Sequence, residues 1–227
     1  MNGIDDKTVV RDYFNATGFD RWRRIYGDGE VNKVQLDIRT GHQQTVDTVL
    51  GWLKADGNLA ELTICDAGCG VGSLSIPLAQ EGATVSASDI SEKMVGEAKE
   101  RAVAIGLPAN PSFSVQDLET LGGTYHSVIC LDVLIHYPSD QAMEMIKNLT
   151  SLASDRVILS FAPKTFLLTI LKKIGEFFPG PSKTTRAYQH RELDVVRVLE
   201  GCGLKIQRTA MTSTRFYFSR IVEAVRD

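Results

Sequence analysis

The run Asp66-Ala67-Gly68-Cys69-Gly70-Val71-Gly72 has the most specific chemical potential in this chain. An apolar run at 62–65 precedes it and a helical pattern at 74–80 follows it. That strand–turn–helix setting gives a glycine-rich turn weight as a ligand cradle. Gly68 can take the positive φ that bends the chain, and Gly70, without a Cβ, lets the backbone approach a ligand. Asp89 closes the next apolar run, 19 residues past Gly70. A carboxylate there can accept both hydroxyls of a ribose. Asp117 closes the third run, where an acceptor can meet the amino group of an adenine. Each feature also has a plainer reading. The glycines would serve a simple connector, Asp89 before Ser91 a turn and helix cap, and Asp117 a turn. Asp66 narrows the choice of ligand. Its charge is unfavourable beside a dinucleotide pyrophosphate and favourable beside a ligand carrying an ammonium and a sulfonium.

A second constellation follows the fourth apolar run: Asp132-Val133-Leu134-Ile135-His136-Tyr137-Pro138. This loop falls at the carboxyl end of the central strands, where open α/β sheets bind ligands. His136 would face the reactive end of the ligand, or else cap the next helix. The elements that must position these residues alternate. Strand patterns recur at 62–65, 83–87 (ending at Asp89), 113–115, 127–131 and 156–161. Helices are expected at 74–80, after Ser91 as N-cap, and over 139–153. Val46, Val49, Leu50 and Leu53 have amphipathic helix spacing, and residues 1–40 read as a helical arm. The last two runs, 205–211 and 216–224, read as a hairpin. The pattern implies an α/β fold with a mostly parallel sheet covered on both faces and an antiparallel strand at one edge. One stretch breaks the alternation. Phe166, Leu167, Ile170, Leu171, Ile174, Phe177 and Phe178 make a wide apolar arc opposite Thr165, Thr169, Lys172, Lys173 and Glu176, so 163–187 reads as an inserted amphipathic cap.

The chain's 227 residues, 43% of them hydrophobic, suit one large domain. A net charge of −3 argues against nucleic acid as a partner. Arg21-Trp22-Arg23-Arg24 is a short basic run that fits a solvated helix face. Four cysteines form no C-x-x-C pair and the histidines lack ligand spacing, so neither disulfides nor a protein metal site is expected. No signal peptide and no transmembrane stretch is expected.

The run D-A-G-C-G-V-G and the terminal hairpin resemble the class I methyltransferases, with a Rossmann-like, seven-stranded, mostly parallel sheet and S-adenosylmethionine as methyl donor. Asp12-Tyr13-Phe14, the stretch from Gly18-Phe19-Asp20-Arg21-Trp22 to Ile25-Tyr26-Gly27, the loop from Asp132 to Pro138, and Ala162-Pro163-Lys164 with Phe178-Pro179-Gly180 are similar to the magnesium protoporphyrin IX methyltransferase family. Tyr125-His126 departs from the broader class, which often carries Phe-Asp before the fourth strand. The resemblance implies cofactor contacts from Asp66, Gly68, Gly70, Ser73, Asp89, Ile90, Met94, Asp117, Leu118, Leu131 and Asp132. It implies that His136 and Tyr26 act on the acceptor, a propionate of magnesium protoporphyrin IX, with magnesium carried only by the substrate. A propionate ionises near a pKa of about 4.3 and is already nucleophilic, so these two would orient it and take no proton. Arg21, Arg23, Arg24, Lys164 and Lys183 are candidates for pairing with the other propionate. Another apolar acid or a quinol remains an alternative acceptor. The family also implies handover from magnesium chelatase and a place at the cytoplasmic side of photosynthetic membranes. The 164–183 face would suit peripheral lipid contact as well.

Overall fold

In a computed structural model, residues 6–164 and 187–226 are described. The apolar arc and most of the expected 163–187 cap, Lys183 included, lie outside the described residues. Two short helices, α1 (Asp6–Asn15) and α2 (Thr17–Ile25), open the chain, followed by the long α3 (Lys33–Asp56). Asn32 starts α3 with a capping box: its side chain accepts from Gln35 N at 2.9 Å, and the Gln35 side chain accepts from Asn32 N at 3.3 Å. Nothing stops the helix until Gly57, so it runs unbroken across residue 40, where the arm was expected to end. Its buried face carries Gly41, Thr45, Val46, Val49 and Leu53.

Strand and helix then alternate as β1 (Thr63–Ala67), α4 (Ser75–Gln80), β2 (Thr84–Asp89), α5 (Glu92–Ala104), β3 (Ser112–Val115), β4 (Tyr125–Cys130), α6 (Ser139–Leu152) and β5 (Ala153–Phe161). Pro77 is the third residue of α4, where a missing N–H costs no helical bond. Ser91 caps α5 by accepting from Met94 N. A helix absent from the sequence reading follows, α7 (Glu192–Gly201). It buries Val195 and Leu199, and the exposed Leu193 blurs its periodicity. The chain ends in β6 (Leu204–Ser213) and β7 (Phe218–Arg226).

The seven strands lie in the order β3-β2-β1-β4-β5-β7-β6. The first five pair in parallel, and β7 is antiparallel to both β5 and β6. The order reverses between β1 and β4, which opens a crevice at their carboxyl ends. One apolar cluster fills the face under α6 and α7, with Leu149, Phe161 and Leu199; the other packs α3 and α4 on Ile64, Ile158 and Ile221. At the far end of the sheet, fully buried Glu223 lies 3.1 Å from Arg156 and bonds Arg208, and both arginines also reach Asp56.

The two ends of the cap insert are pinned together. Pro163 and His190 form an isolated parallel bridge: Lys164 N donates to His190 O at 2.7 Å and His190 N to Ala162 O at 2.9 Å. The buried His190 bonds Leu134 O through Nε2 at 2.8 Å, and Tyr188 N donates to Ile135 O at 2.7 Å. The insert therefore leaves and returns beside the loop that carries His136.

Candidate active site

The crevice opens into a mainly apolar cavity of about 450 Å³, a volume suited to a small organic ligand. The glycine turn forms its floor. Gly68 N and Cys69 N both donate to Ser88 O at 2.8 Å, which ties the turn to β2. Gly68 has φ +84°, and a Cβ there would lie 2.2 Å from Val133 Cγ2. The turn thus bends only with glycine, and it packs directly on the loop after β4. Gly70 N donates to Asp89 Oδ2 and Ser91 N to Asp89 Oδ1, each at 2.9 Å. Burial raises the Asp89 pKa, and these backbone donors partly offset it.

Asp66 is 2% exposed and accepts from the Ser75 hydroxyl. Burial pushes its pKa up to about 6, and the neighbouring Asp89 charge adds to the effect. This carboxylate is therefore costly to ionise until a cation joins it. Cys69, in the turn itself, is pushed well above the ordinary thiol range by burial and by Asp89 and Asp66, so it is no nucleophile. Asp117 accepts from Glu119 N at 3.0 Å and pairs with Lys7 of α1 at 3.2 Å. The arm is thereby anchored to the end of β3. Asn15 adds a second tie, accepting from the Ser91 hydroxyl at 2.7 Å.

The acceptor side is built around Asp132, the residue that follows β4 and opens the loop. It has φ +58°, and it is the sole non-glycine residue with positive φ among the described residues. Such a conformation costs roughly 1–3 kcal/mol and persists only where surroundings over-determine it. They do so here. Asp132 N donates to Ser160 Oγ at 2.8 Å, and Ser160 Oγ donates back to Asp132 Oδ1 at 3.0 Å. Tyr217 Oη donates to Oδ2 at 2.7 Å, and His42 Nδ1 lies 2.9 Å from the same oxygen. Burial alone would raise the Asp132 pKa. Hydrogen bonds from His42, Tyr217 and Ser160, with the His42 charge, outweigh burial and hold it below the usual range. Tyr217 reaches this position because the hairpin turn is fastened to α3: Asp37 accepts from Thr214 Oγ1 at 2.6 Å and from Phe216 N at 2.7 Å. Gly41 makes room for it, since a Cβ there would lie 2.4 Å from the Tyr217 ring.

An aromatic wall from the arm closes the cavity. Trp22 packs on Tyr26 with centroids 5.4 Å apart, Tyr26 on His42 at 4.3 Å, and Phe14 edge-on against His136 at 5.2 Å. Burial lowers the His136 pKa to about 4, so the ring is neutral at pH 7, and its buried Nδ1 has no protein partner among the described residues. Burial, with the Asp132 and Asp89 charges, raises Tyr26 well above the ordinary phenol range. At neutral pH Tyr26 is thus a neutral O–H donor, and His136 is a neutral imidazole poorly matched to general-base work.

A family profile described as "Magnesium-protoporphyrin IX methyltransferase C-terminus" matches residues 130–226, and one described as "Methyltransferase domain" matches 64–155. A magnesium-protoporphyrin O-methyltransferase from Synechocystis sp. is 69% identical over 98% of this chain and 97% of its own length. The chain belongs to the magnesium protoporphyrin IX methyltransferase family. A chloroplastic magnesium protoporphyrin IX methyltransferase from Arabidopsis thaliana is 61% identical over 98% of this chain and 72% of its own length. A crystal structure of the Synechocystis PCC 6803 magnesium protoporphyrin IX methyltransferase with bound S-adenosylhomocysteine superposes with a TM-score of 0.91 at 66% identity. It covers 97% of this chain and 100% of that one.

Within this family member, all thirteen residues expected to form the site line the one cavity. They are His136, Tyr26, Asp66, Gly68, Gly70, Ser73, Asp89, Ile90, Met94, Asp117, Leu118, Leu131 and Asp132. Of the basic residues expected at its rim, the four that are described do not line it. Arg21 stacks on Trp22, Arg23 on Phe19 and 3.7 Å from Glu97, and Arg24 donates to Asp20 O; neither they nor Lys164 line the cavity. Sequence reading missed His42 and Tyr217. His42 had a signal: it is a polar residue between Ile38 and Val46 on the inward face of α3. Tyr217 had none, because only the fold brings it to His42.

Proposed function

We propose that this chain transfers the methyl group of S-adenosylmethionine to a propionate carboxylate of magnesium protoporphyrin IX, giving the monomethyl ester. The observation that carries this reading is the division of the cavity. Asp66, Asp89 and Asp117, at or just past the carboxyl ends of β1, β2 and β3, make one wall, and neutral His136 and Tyr26, from the loop after β4 and from the arm, make the other. S-adenosylmethionine fits the first wall. Asp66, unfavourably buried as an anion, takes the ammonium; Asp89 accepts the ribose hydroxyls; Asp117 accepts the adenine amino group. Gly68, Gly70 and Ser73 border the methionine part. Ile90, Met94 and Leu118 cover the adenine, and Leu131 and Asp132 border the transferring methyl group. The bound cofactor supplies an electrophilic methyl. A carboxylate oxygen lone pair forms the new O–C bond, the C–S bond breaks, and its electron pair stays on sulfur. No proton moves, which fits a His136 that is neutral at pH 7.

His136 and Tyr26 position the carboxylate in line with the methyl group, and the aromatic wall strips its water. Orientation of this kind accounts for up to ~7–11 kcal/mol of barrier in ideal geometry. Methyl transfer from labelled S-adenosylmethionine to magnesium protoporphyrin IX tests the reading. Turnover is expected there and not with a quinol phenol, since neither His136 nor Tyr26 is matched to taking a phenol proton. Absence of transfer to the porphyrin, with the cofactor bound, would refute it.

We infer further that residues 1–227 act as one methyltransferase domain, since both apolar clusters share a single sheet. No described helix is long and apolar enough to cross a membrane. Contact with the cytoplasmic face of photosynthetic membranes through the 164–183 face, and handover from magnesium chelatase, complete the proposal. The amphipathic pattern supports the first, and the family resemblance supports the second. In liposome flotation the full chain should float and a chain lacking 164–183 should not; flotation of both would refute the membrane contact.

A further inference from the structure

His42 is the cavity histidine to which the methyl-transfer mechanism gives no task. Its ring lines the cavity. Nδ1 is committed to Asp132 at 2.9 Å, and Nε2 is buried without a partner among the described residues. A buried polar nitrogen left unpaired is costly, so it calls for a ligand atom. The charge of the cavity says which kind. Its described lining includes Asp66, Asp89, Asp117 and Asp132 and no lysine or arginine. Yet both ligands of the proposed reaction bring carboxylates: the methionyl carboxylate of the donor and the propionate of the acceptor. An anion entering this setting needs a cationic donor. His136 is held neutral by its burial. His42 is placed for the task, because Asp132 takes Nδ1 and leaves Nε2, on a ring that lines the cavity, for a ligand atom.

We propose that His42, held by Asp132 and steadied by the Tyr26 ring, binds a ligand carboxylate through Nε2–H. The proposal rests on the methyl-transfer reading of the cavity. The other groups that face His42 are the Tyr217 hydroxyl on Asp132 and the Asp66 carboxylate, whose own pKa the His42 charge lowers. Neither takes the Nε2 position.

Two substitutions separate this task from simple support of Asp132. His42→Asn keeps a donor where Nδ1 stands and loses the one at Nε2; His42→Gln does the reverse. Binding of S-adenosylhomocysteine, and of its analogue without the carboxylate, is measured by calorimetry. KM and kcat for magnesium protoporphyrin IX are measured at saturating donor. If His42 holds the methionyl carboxylate, His42→Asn weakens S-adenosylhomocysteine about ten- to hundredfold and leaves the decarboxylated analogue unchanged. If it holds the propionate, S-adenosylhomocysteine is unaffected, and kcat/KM for the porphyrin falls by a similar factor. In either case His42→Gln restores most of the loss. A structural role predicts the opposite ranking, with Asn tolerated and Gln defective, and that result would overturn the proposal. So would equal loss for both adenosyl ligands, or changes below threefold throughout. Should His42→Asn fail to fold, Asp132→Asn weakens the same carboxylate interaction from the other side; an unchanged affinity there counts against the proposal. The calorimetric arm needs no acceptor, so a wrong porphyrin assignment and a wrong role for His42 give different patterns.

Discussion

Asp66→Asn should stabilise the unliganded protein and disable it. Burial raises the Asp66 pKa from 3.8 to about 6. The folded state therefore holds a proton that the unfolded chain has released across that window. Stability is fully present below pH 3.8, falls as pH rises, and reaches its floor above about 6. A pKa raised that far corresponds to a loss of roughly 3 kcal/mol by pH 8. The asparagine keeps an acceptor for the Ser75 hydroxyl and never ionises. Its own burial cost is the same at every pH, so the pH dependence of the stability gain isolates the carboxylate. The gain over the wild type should be larger at pH 8 than at pH 5 by about 1.4 kcal/mol, or roughly 3–6 °C in a domain of this size. Thermal unfolding of both proteins at the two pH values measures it. Calorimetry with S-adenosylmethionine reads the other half. Wild-type affinity should weaken about tenfold for each step of one in pH below 6, as Asp66 protonates and loses its hold on the ammonium. The variant should bind weakly with no such slope. A stability gain that is equal at the two pH values, or an undiminished affinity in the variant, would refute the assignment of Asp66.

Further outcomes follow from the same geometry. His136→Ala should lower kcat about ten- to hundredfold and leave the shape of the pH profile of the chemical step unchanged between pH 6 and 9; a wild-type limb that the substitution abolishes would return a proton-transfer role. Tyr26→Phe, which keeps the stacking on His42 and removes the hydroxyl, should lower kcat about tenfold with little change in S-adenosylhomocysteine affinity. Gly68→Ala forces a Cβ to within 2.2 Å of Val133 Cγ2 at positive φ, so the 133–136 loop must move. Cofactor binding and stability should fall together by more than about 1 kcal/mol each. Glu223→Ala leaves Arg156 and Arg208 to share Asp56 and should cost roughly 1–3 kcal/mol in chemical denaturation, with cofactor affinity retained in the folded fraction.

Much of this was legible before folding. The alternation of strands and helices and the positions of Asp66, Asp89 and Asp117 at strand ends are local signals, carried by apolar runs, a glycine turn and two strand-end carboxylates. Boundaries drifted where local signals were weak. β5 begins at Ala153, three residues before its apolar run, because Ala153 pairs with Tyr125 of β4, and Ser154 and Asp155 fall in the register shift that follows. Helix α3 crosses residue 40 because no proline or cap interrupts it. The electrostatics of the acceptor side were not legible at all. Neither the neutral state of His136 nor the raised pKa of Asp66 is a property of a residue type, since both come from burial that only the assembled cavity provides.

Asp132 shows why the two halves of the site must form together. Its strained backbone is held by Ser160 of β5, Tyr217 beside β7 and His42 of α3, three elements far apart in the chain. The next residue, Val133, packs on Gly68 of the cofactor turn, and Leu134 O accepts from His190 at the return of the insert. The loop that carries His136 is thus fixed from five directions, and none of them is a contact made by His136 itself. A change at the cofactor turn, the hairpin or the insert must reach the acceptor through this loop. That coupling explains why the chain keeps a strained aspartate at the end of β4, where an ordinary turn would cost less.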